Sequence, residues 1–249
     1  LAINRSFGYL IHQLGLDKFD RDYVVTRIIE SPFNFKTQAL VGIPRDIPLA
    51  SSEDFLKKTF MELARLIKVM KGRTFILFTS YRMLEKCHEL LQGELEDSDI
   101  EILTQGDLPR STLLKEFKRI EKAVLLGTDS FWEGVDVPGG DLECVVLMKL
   151  PFSVPTDPII KARSDHLKKQ GLNPFLKYHV PKAIIKFKQG FGRLIRNSND
   201  RGIIIILDKR VIEKRYGKMF LNSLPPVKII GGKFGKIVDY VGEWNEKRE

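Results

Sequence analysis

The sequence has no apolar run approaching the roughly 20 residues that a membrane-spanning helix needs, so we expect no membrane-spanning segment and no partner inside a membrane. It has only two cysteines, Cys87 and Cys144, in 249 residues. Both lie in or beside apolar stretches without metal-ligand spacing, which predicts no metal site and favours a reducing cytoplasm. The four histidines are scattered, so each is expected to be a surface or packing residue rather than a ligand.

The first residues show neither an initiator methionine nor the pattern of a signal peptide, so we expect a piece of a longer protein. Internal repeats and low-complexity tracts are also missing. No Gly-x-x-x-x-Gly-Lys-Ser/Thr phosphate loop occurs, since residues 231–236, GGKFGK, have the wrong spacing and no hydroxyl after the lysine. The chain by itself is therefore not expected to hold a nucleoside triphosphate and its magnesium.

Positive charge, by contrast, is in excess: 41 Lys and Arg residues stand against 32 Asp and Glu residues, a net charge of +9. This balance favours a polyanionic partner, whether nucleic acid, nucleotide or an acidic membrane surface, without choosing among them. The apolar fraction of 43% and the charged fraction of 29% are typical of a globular protein with a sizeable core.

Apolar runs alternate with amphipathic segments along most of the chain. Strands are predicted at residues 24–30, 38–43, 74–79, 100–103, 123–126, 144–150 and 203–207. Helices are predicted at residues 51–72, 81–91, 111–120, 158–171, 182–196 and 211–221. The alternation predicts an α/β fold, a parallel sheet with helices on both faces. We divide it into an N-terminal segment (1–72), a core (73–230) and a loosely attached C-terminal tail (231–249).

The most informative segment is residues 189–196, QGFGRLIR, at the end of the predicted helix 182–196. Helical spacing places Gln189, Arg193 and Arg196 together on the face opposite an apolar stripe. The planar fork of an arginine bonds two phosphate oxygens at once and keeps its charge. Taken alone, this face is explained equally well as an anion-binding surface or as ordinary solvated charge.

Polar loops follow several of the predicted strands, where parallel sheets bind their ligands. Residues 79–82 offer hydroxyls and backbone N–H groups at a helix start, which suits either a phosphate or simple capping by Ser80. Asp208 ends strand 203–207 as a magnesium-binding aspartate does, but without a phosphate loop we expect it to be structural.

The loop of residues 127–140 is long and polar, and long loops in compact domains are often functional. Trp132 has two interpretations, a platform for a nucleobase or an anchor for the loop. Asp136 likewise suits a ribose hydroxyl or a metal-bound water as well as an ordinary turn.

Several of these segments resemble helicase motifs. Residues 189–196 resemble motif VI of superfamily 2 helicases, residues 127–136, GTDSFWEGVD, resemble motif V of their DinG/XPD branch, and residues 78–81, FTSY, are similar to motif IV. Three more segments look like bacterial DinG-type sequences: 30–33, 150–152 and 214–217. The resemblance covers nearly the whole chain and implies the second RecA-like domain of such a helicase, its C-terminal motor domain.

The resemblance also implies roles for single residues. Arg193 and Arg196 would contact the phosphates of ATP, with Arg196 as the arginine finger, and Gln189 would couple the nucleotide to the fold. The nucleotide would be bordered by Glu133, Gly134 and Asp136. Single-stranded DNA would be held by Thr79, Ser80, Tyr81, Thr128 and Trp132.

The implied partners are single-stranded DNA and an N-terminal RecA-like domain of the same protein, which would bind ATP and Mg²⁺ jointly with this chain. The family moves 5′ to 3′, and several members carry an iron–sulfur cluster in the first half, outside this sequence. The chain alone is therefore expected to be inactive. The alternative is a basic α/β nucleic-acid-binding accessory module without ATPase function, against which the three polar residues of motif VI argue.

Overall fold

The computed structural model of the chain describes residues 2–128, 131, 142–192 and 194–247. Within them, seven strands form one sheet: Ala39–Pro44 (β1), Thr74–Leu77 (β2), Glu101–Thr104 (β3), Ala123–Gly127 (β4), Cys144–Leu147 (β5), Gly202–Ile206 (β6) and Lys228–Gly232 (β7). The strand order is β3-β4-β2-β5-β6-β1-β7, and every neighbouring pair is parallel. The predicted α/β fold with a parallel sheet is therefore confirmed.

The central strands are apolar along their whole length because both of their faces are covered. Every residue of β1, β2, β4, β5 and β6 is buried, whereas the two edge strands expose part of their length. A sheet buried on both faces selects continuous apolar runs rather than alternation of apolar and polar residues. This requirement explains why the strands of the central sheet are the segments that sequence predicts best.

Helices pack on both faces of the sheet. Those of the described residues are Gly8–Gln13 (α1), Phe35–Gln38 (α2), Phe55–Val69 (α3), Tyr81–Leu95 (α4), Arg110–Arg119 (α5), Pro158–Lys169 (α6), Val180–Phe191 (α7), Arg210–Glu213 (α8), Gly217–Leu221 (α9) and Phe234–Glu246 (α10). Short 3₁₀-helices occupy Leu16–Lys18 and Arg21–Tyr23, and a single π-helical turn occupies Phe175–His179. None of the helices in the described part of the chain has both the length and the apolar character needed to cross a bilayer.

Alternate residues of the buried strands serve two separate cores. In β2, Phe75 joins the core formed with α5 and α7, and its ring lies 4.6 Å from that of Phe117. Ile76 points to the opposite face and joins the core formed with α3, α4 and α10. The period-two alternation of side chains thus ties one strand to helices on both faces.

Three sequence predictions outside the helix of residues 182–196 are wrong. Residues 24–30 form no strand, and Val25 and Ile29 are among the most exposed apolar side chains. An apolar segment becomes a strand only where it finds a partner, and β1 already lies between β6 and β7. The predicted helix 211–221 is two short helices, because the chain folds back so that Gly217 packs against the backbone carbonyls of Arg210 and Val211.

The predicted loose tail is the third error. Residues 228–232 form the edge strand β7, and α10 follows with four buried residues packed against α3 and β1: Phe234, Ile237, Val238 and Val241. The backbone N–H of Phe234 also donates to the Asp46 carboxylate at 2.9 Å, which fixes the start of the helix. This end of the chain is part of the core, although β7 itself is too exposed to show an apolar run.

Candidate nucleic-acid and nucleotide site

The parallel sheet brings the carboxyl ends of its strands to one edge of the molecule. Thr79 and Ser80 follow β2, Thr128 follows β4, Lys149 follows β5 and Asp208 follows β6. Since β2 lies between β4 and β5, the hydroxyls of residues 79 and 80 lie between Thr128 on one side and Lys149 on the other. Three of the residues assigned to DNA by resemblance are therefore neighbours in space.

Ser80 begins helix α4 with an extended backbone, at φ −153° and ψ 144°. In this described segment its side chain makes no capping hydrogen bond, so the capping interpretation of Ser80 finds no support in the geometry. The side chain is exposed, and the first-turn N–H groups of a 15-residue helix lie next to it. A hydroxyl beside such a helix start is suited to bind an anion.

Gln105 joins two of the predicted DNA-binding residues. Its Nε2 donates to the Tyr81 hydroxyl at 2.5 Å, and its Oε1 accepts from both the backbone N–H and the hydroxyl of Thr128, at 2.6 and 3.0 Å. Both hydrogen-bond donors of Thr128 are thus engaged, and a phosphate can receive them only if the Gln105 amide moves. Gln105 is not among the residues that the sequence assigned to the site; its position directly after β3 was the available signal.

Two cavities flank residues 79 and 80. One, of about 880 Å³, includes Thr79, Phe152 and Arg210 in its wall. The other, of about 530 Å³, includes Ser80 together with the basic residues Lys57, Arg82, Lys86 and Lys149. Lys149 lines both cavities, and its pKa lies below the usual lysine value because of partial burial and the nearby Arg210 guanidinium.

Lys149 is a functional candidate that sequence reasoning missed. It stands at the carboxyl end of β5, which lies next to β2 in the sheet. The available sequence signal was a lysine near the end of the predicted apolar strand 144–150. A lysine that borders both cavities beside two hydroxyls can hold a phosphate between them as a point charge.

Asp208 has the geometry of a structural residue, as predicted. Its carboxylate is fully buried and accepts from the backbone N–H groups of Leu150 and Arg210, at 2.9 and 3.1 Å. The Arg210 guanidinium pairs with it at 2.6 Å, which raises the pKa of Arg210. Asp208 therefore anchors the segment that follows Lys149.

The predicted helix 182–196 is wrong at its C-terminal end, because α7 ends at Phe191. Gly192 caps it with an N–H bond of 2.9 Å to the carbonyl of Lys188, and glycines at 190 and 192 weaken the last turn. Gln189 is exposed on that last turn, whereas Arg196 lies in the following loop. The two side chains therefore do not share one helical face.

The loop that carries Arg196 is held by two buried polar side chains. Asp200 accepts from the backbone N–H groups of Arg196 and Asn197, at 2.7 and 3.0 Å. Gln38, the last residue of α2, donates its amide to the carbonyls of Asn197, Ser198 and Asp200, at 3.0, 3.2 and 2.9 Å. Arg196 itself is half-buried and has interaction partners within the chain. The loop is thus fixed from the N-terminal segment.

Five residues with predicted roles lie outside the described residues: Trp132, Glu133, Gly134, Asp136 and Arg193. Their roles stay predictions. Of the loop of residues 127–140, only residues 127, 128 and 131 are described; there Phe131 is fully buried with the Arg110 guanidinium 5.7 Å from its ring centre.

A family model described as Helicase C-terminal domain matches residues 63–227, which is well over half of the chain. The chain belongs to the helicase C-terminal domain family. This helicase domain is 39% identical over 225 residues to the ATP-dependent DNA helicase YoaA of Haemophilus influenzae, covering 90% of the chain and 34% of that protein. It is 36% identical over 233 residues to the ATP-dependent DNA helicase DinG of Photobacterium profundum, covering 91% of the chain and 33% of that protein.

A further relative is the 3′-5′ exonuclease DinG of Bacillus subtilis, 38% identical over 234 residues, where 92% of this chain covers 25% of that protein. The chain thus spans a quarter to a third of the length of these curated relatives. The resemblance to DinG-type helicases is confirmed.

Solved structures share the fold of this helicase domain. An XPD helicase structure aligns with a TM-score of 0.55 at 20% identity, over 78% of this chain and 35% of its own. Saccharomyces cerevisiae Dbp5 bound to RNA and ADP BeF3 aligns with a TM-score of 0.60 at 16% identity, over 98% of this chain and 53% of its own. The predicted RecA-like fold is confirmed.

Proposed function

We propose that this helicase domain is the second motor domain of an ATP-dependent DNA helicase that couples ATP hydrolysis to 5′–3′ translocation on single-stranded DNA. The observation that supports this most is the carboxyl edge of the sheet, where Thr79 and Ser80 lie between Thr128 on one side and Lys149 on the other. Hydroxyls, helix N–H groups and a lysine suit a phosphate backbone without reading base identity. The curated relatives named ATP-dependent DNA helicases support the same conclusion.

On the DNA side, the proposal assigns phosphate contacts to Thr79, Ser80, Tyr81 and Thr128 and a stacking role to Trp132. Such contacts are largely independent of sequence and weaken as salt rises, because bound cations are released from the strand. Thr128 reaches a phosphate only after the Gln105 amide has given up its two hydrogen bonds. DNA binding should therefore involve a rearrangement of Gln105.

On the nucleotide side, ATP and Mg²⁺ are bound jointly with an N-terminal RecA-like domain, which also carries any iron–sulfur cluster of the protein. Arg196 acts as the arginine finger beside Arg193 and Gln189, while Glu133, Gly134 and Asp136 border the nucleotide. A guanidinium stabilises the charge that develops on the transferring phosphoryl group, provided it is held in place. The bonds from Asp200 and Gln38 to the backbone of residues 196–200 supply such a support.

The proposal is tested by ATPase assays. The chain alone should hydrolyse no ATP, whereas the protein that joins it to the N-terminal half should do so when single-stranded DNA is added. In that protein Arg196→Ala should lower turnover roughly 10³- to 10⁵-fold, the range known for arginine fingers. DNA affinity, measured by fluorescence anisotropy, should stay nearly unchanged.

Arg119→Ala is the matched control, because Arg119 is exposed on α5 and outside both cavities, and it should keep normal turnover. Normal turnover in Arg196→Ala would refute the finger assignment. Strong ATPase activity of the chain alone would refute the division into two half-sites. DNA binding without any ATPase activity in the joined protein would support the accessory-module alternative.

A further inference from the structure

The cavity of about 880 Å³ beside Thr79 has an apolar, aromatic wall, which has no part in binding a phosphate. Its wall combines Thr79 and Lys149 with an apolar surface formed by Phe152, Val154 and Phe175. Its volume lies within the range of small-molecule sites, roughly 300–1,000 Å³. The cavity on the other side of residues 79 and 80 has four basic residues in its wall, and Phe55 is its one aromatic lining residue in the described part of the chain. The cavity on one side of residues 79 and 80 is therefore aromatic and basic, whereas the cavity on the other side is mainly basic and polar.

The aromatic surface is rigid and partly open. The rings of Phe152 and Phe175 are stacked, with centroids 5.6 Å apart and an interplanar angle of 25°. The Arg210 guanidinium lies 5.5 Å from the Phe152 ring centre and is itself fixed by the ion pair with Asp208. Phe175 remains 38% exposed and Val154 59% exposed. The rings of Tyr216 and His179 also lie near Phe175, at 5.1 and 6.4 Å between centroids, so the exposed part of the Phe175 ring is what can stack on another flat ring.

The rim of this cavity is cationic. Lys149, Lys161 and Lys168 line it, and Asp165, which pairs with Lys168 at 3.5 Å, is its one acidic lining residue among those described. Positive charge attracts a polyanion to the opening, and the apolar wall then favours the uncharged part of that polyanion. In a nucleic acid strand, the uncharged part is the base.

We propose that this cavity is a nucleobase subsite, which takes bases of the single strand whose phosphates lie over Thr79 and Ser80. The inference rests on the proposed DNA-binding function and adds where the bases go. The bases would stack on the exposed side of Phe175 while the backbone passes between Thr79 and Lys149. Stacking accepts every base, so the subsite raises affinity without creating sequence preference.

The test compares two strands of equal length and charge, oligo-dT and an abasic oligonucleotide, bound to the chain and followed by fluorescence anisotropy. The wild-type chain should bind oligo-dT about tenfold more tightly, within the range of base–aromatic stacking. Phe175→Ala should remove most of this preference and leave abasic binding unchanged. Phe175→Tyr should restore it, because it keeps the ring. Thr79→Ala should weaken both strands by the same factor, because it removes a phosphate contact.

Met61→Ala is the control for loss of an exposed apolar side chain, since Met61 is 56% exposed on α3 and outside both cavities. If Phe175→Ala unfolds, Val154→Ala tests the same wall and should lower only oligo-dT binding. Equal affinity of the wild type for both strands, or equal losses on both strands in these variants, would overturn the subsite and leave the phosphate site standing. If Thr79→Ala weakens neither strand, the proposed DNA path itself fails, and the subsite fails with it.

Discussion

Removing the Gln38 amide should loosen the loop that carries Arg196. Gln38 is 8% exposed, and its Oε1 accepts from the backbone N–H of Asn34 at 2.8 Å while its Nε2 faces the three loop carbonyls. The amide nitrogen has only two hydrogens, so it donates to two of these carbonyls at a time. With the bond from Asn34, the Gln38 side chain makes about three hydrogen bonds. At roughly 0.5–1.5 kcal/mol each, Gln38→Ala should cost about 2–4 kcal/mol.

The measurement is urea unfolding of the chain, followed by circular dichroism at neutral pH. Gln38→Ala should lower the midpoint in proportion to this loss while the slope stays the same. Gln38→Glu keeps the shape and the bond from Asn34 but places a carboxylate against three carbonyl oxygens, so it should be at least as destabilising. In the protein joined to its N-terminal half, both variants should lower ATP turnover.

Gln92→Ala is the matched control, because Gln92 is exposed on α4, and its stability should change by no more than about 0.5 kcal/mol. An unchanged urea midpoint for Gln38→Ala would refute the reasoning, since it would mean that water replaces these buried bonds at no cost. A normal turnover together with a lowered midpoint would show that the bonds stabilise the fold without positioning the Arg196 loop.

Two further predictions concern packing and alkaline stability. Gly217→Ala would place a Cβ 2.3 Å from the carbonyl oxygens of Arg210 and Val211, so urea unfolding should show a loss of about 3 kcal/mol. Gly93→Ala, where the added Cβ meets nothing within 4 Å, should raise the free energy of unfolding by about 0.5–1 kcal/mol. Equal changes in the two variants would contradict the predicted clash at Gly217. Burial raises the pKa of Cys87 and of Cys144 from 9.0 to about 12. Their contribution is fully present below pH 9 and is lost as pH rises towards 12, because only the unfolded thiol ionises there. Stability should fall by about 1.4 kcal/mol per pH unit for each thiol, and Cys144→Ala should reduce this slope; an identical slope would refute the shift.

Local signals predicted those elements whose chemistry is contained in a short stretch of chain. The predicted helix 158–171 starts where α6 starts, and the Asp157 carboxylate caps it by accepting from the N–H groups of Ile159 and Ile160, at 2.9 and 3.0 Å. The buried strands were recognisable because both of their faces are covered. The same criterion wrongly predicted a strand at residues 24–30. An apolar stretch indicates a tendency to be buried, but it does not indicate whether a partner strand is available.

The motif VI residues show how far sequence spacing can predict the geometry of a site. Spacing suggested a single helical face, but Gly192 ends the helix and Asp200 binds the backbone that follows, so Arg196 lies in a loop. Glycine was visible in the sequence as a weak point of the helix. That an aspartate four residues beyond Arg196 would capture two N–H groups was not visible, because that geometry depends on how the loop meets β1.

By itself the sequence determined the class of the fold, the family and the residue types gathered at one edge of a parallel sheet, since each is written in runs and motifs of contiguous residues. Only the tertiary structure decided that Gln38 holds the Arg196 loop and that Gln105 accepts both hydrogen bonds that Thr128 can donate. It also decided that Lys149 lies between two cavities. These contacts join residues far apart in the chain. Their pairing follows from the order of the strands in the sheet, which no periodicity or spacing along the chain specifies.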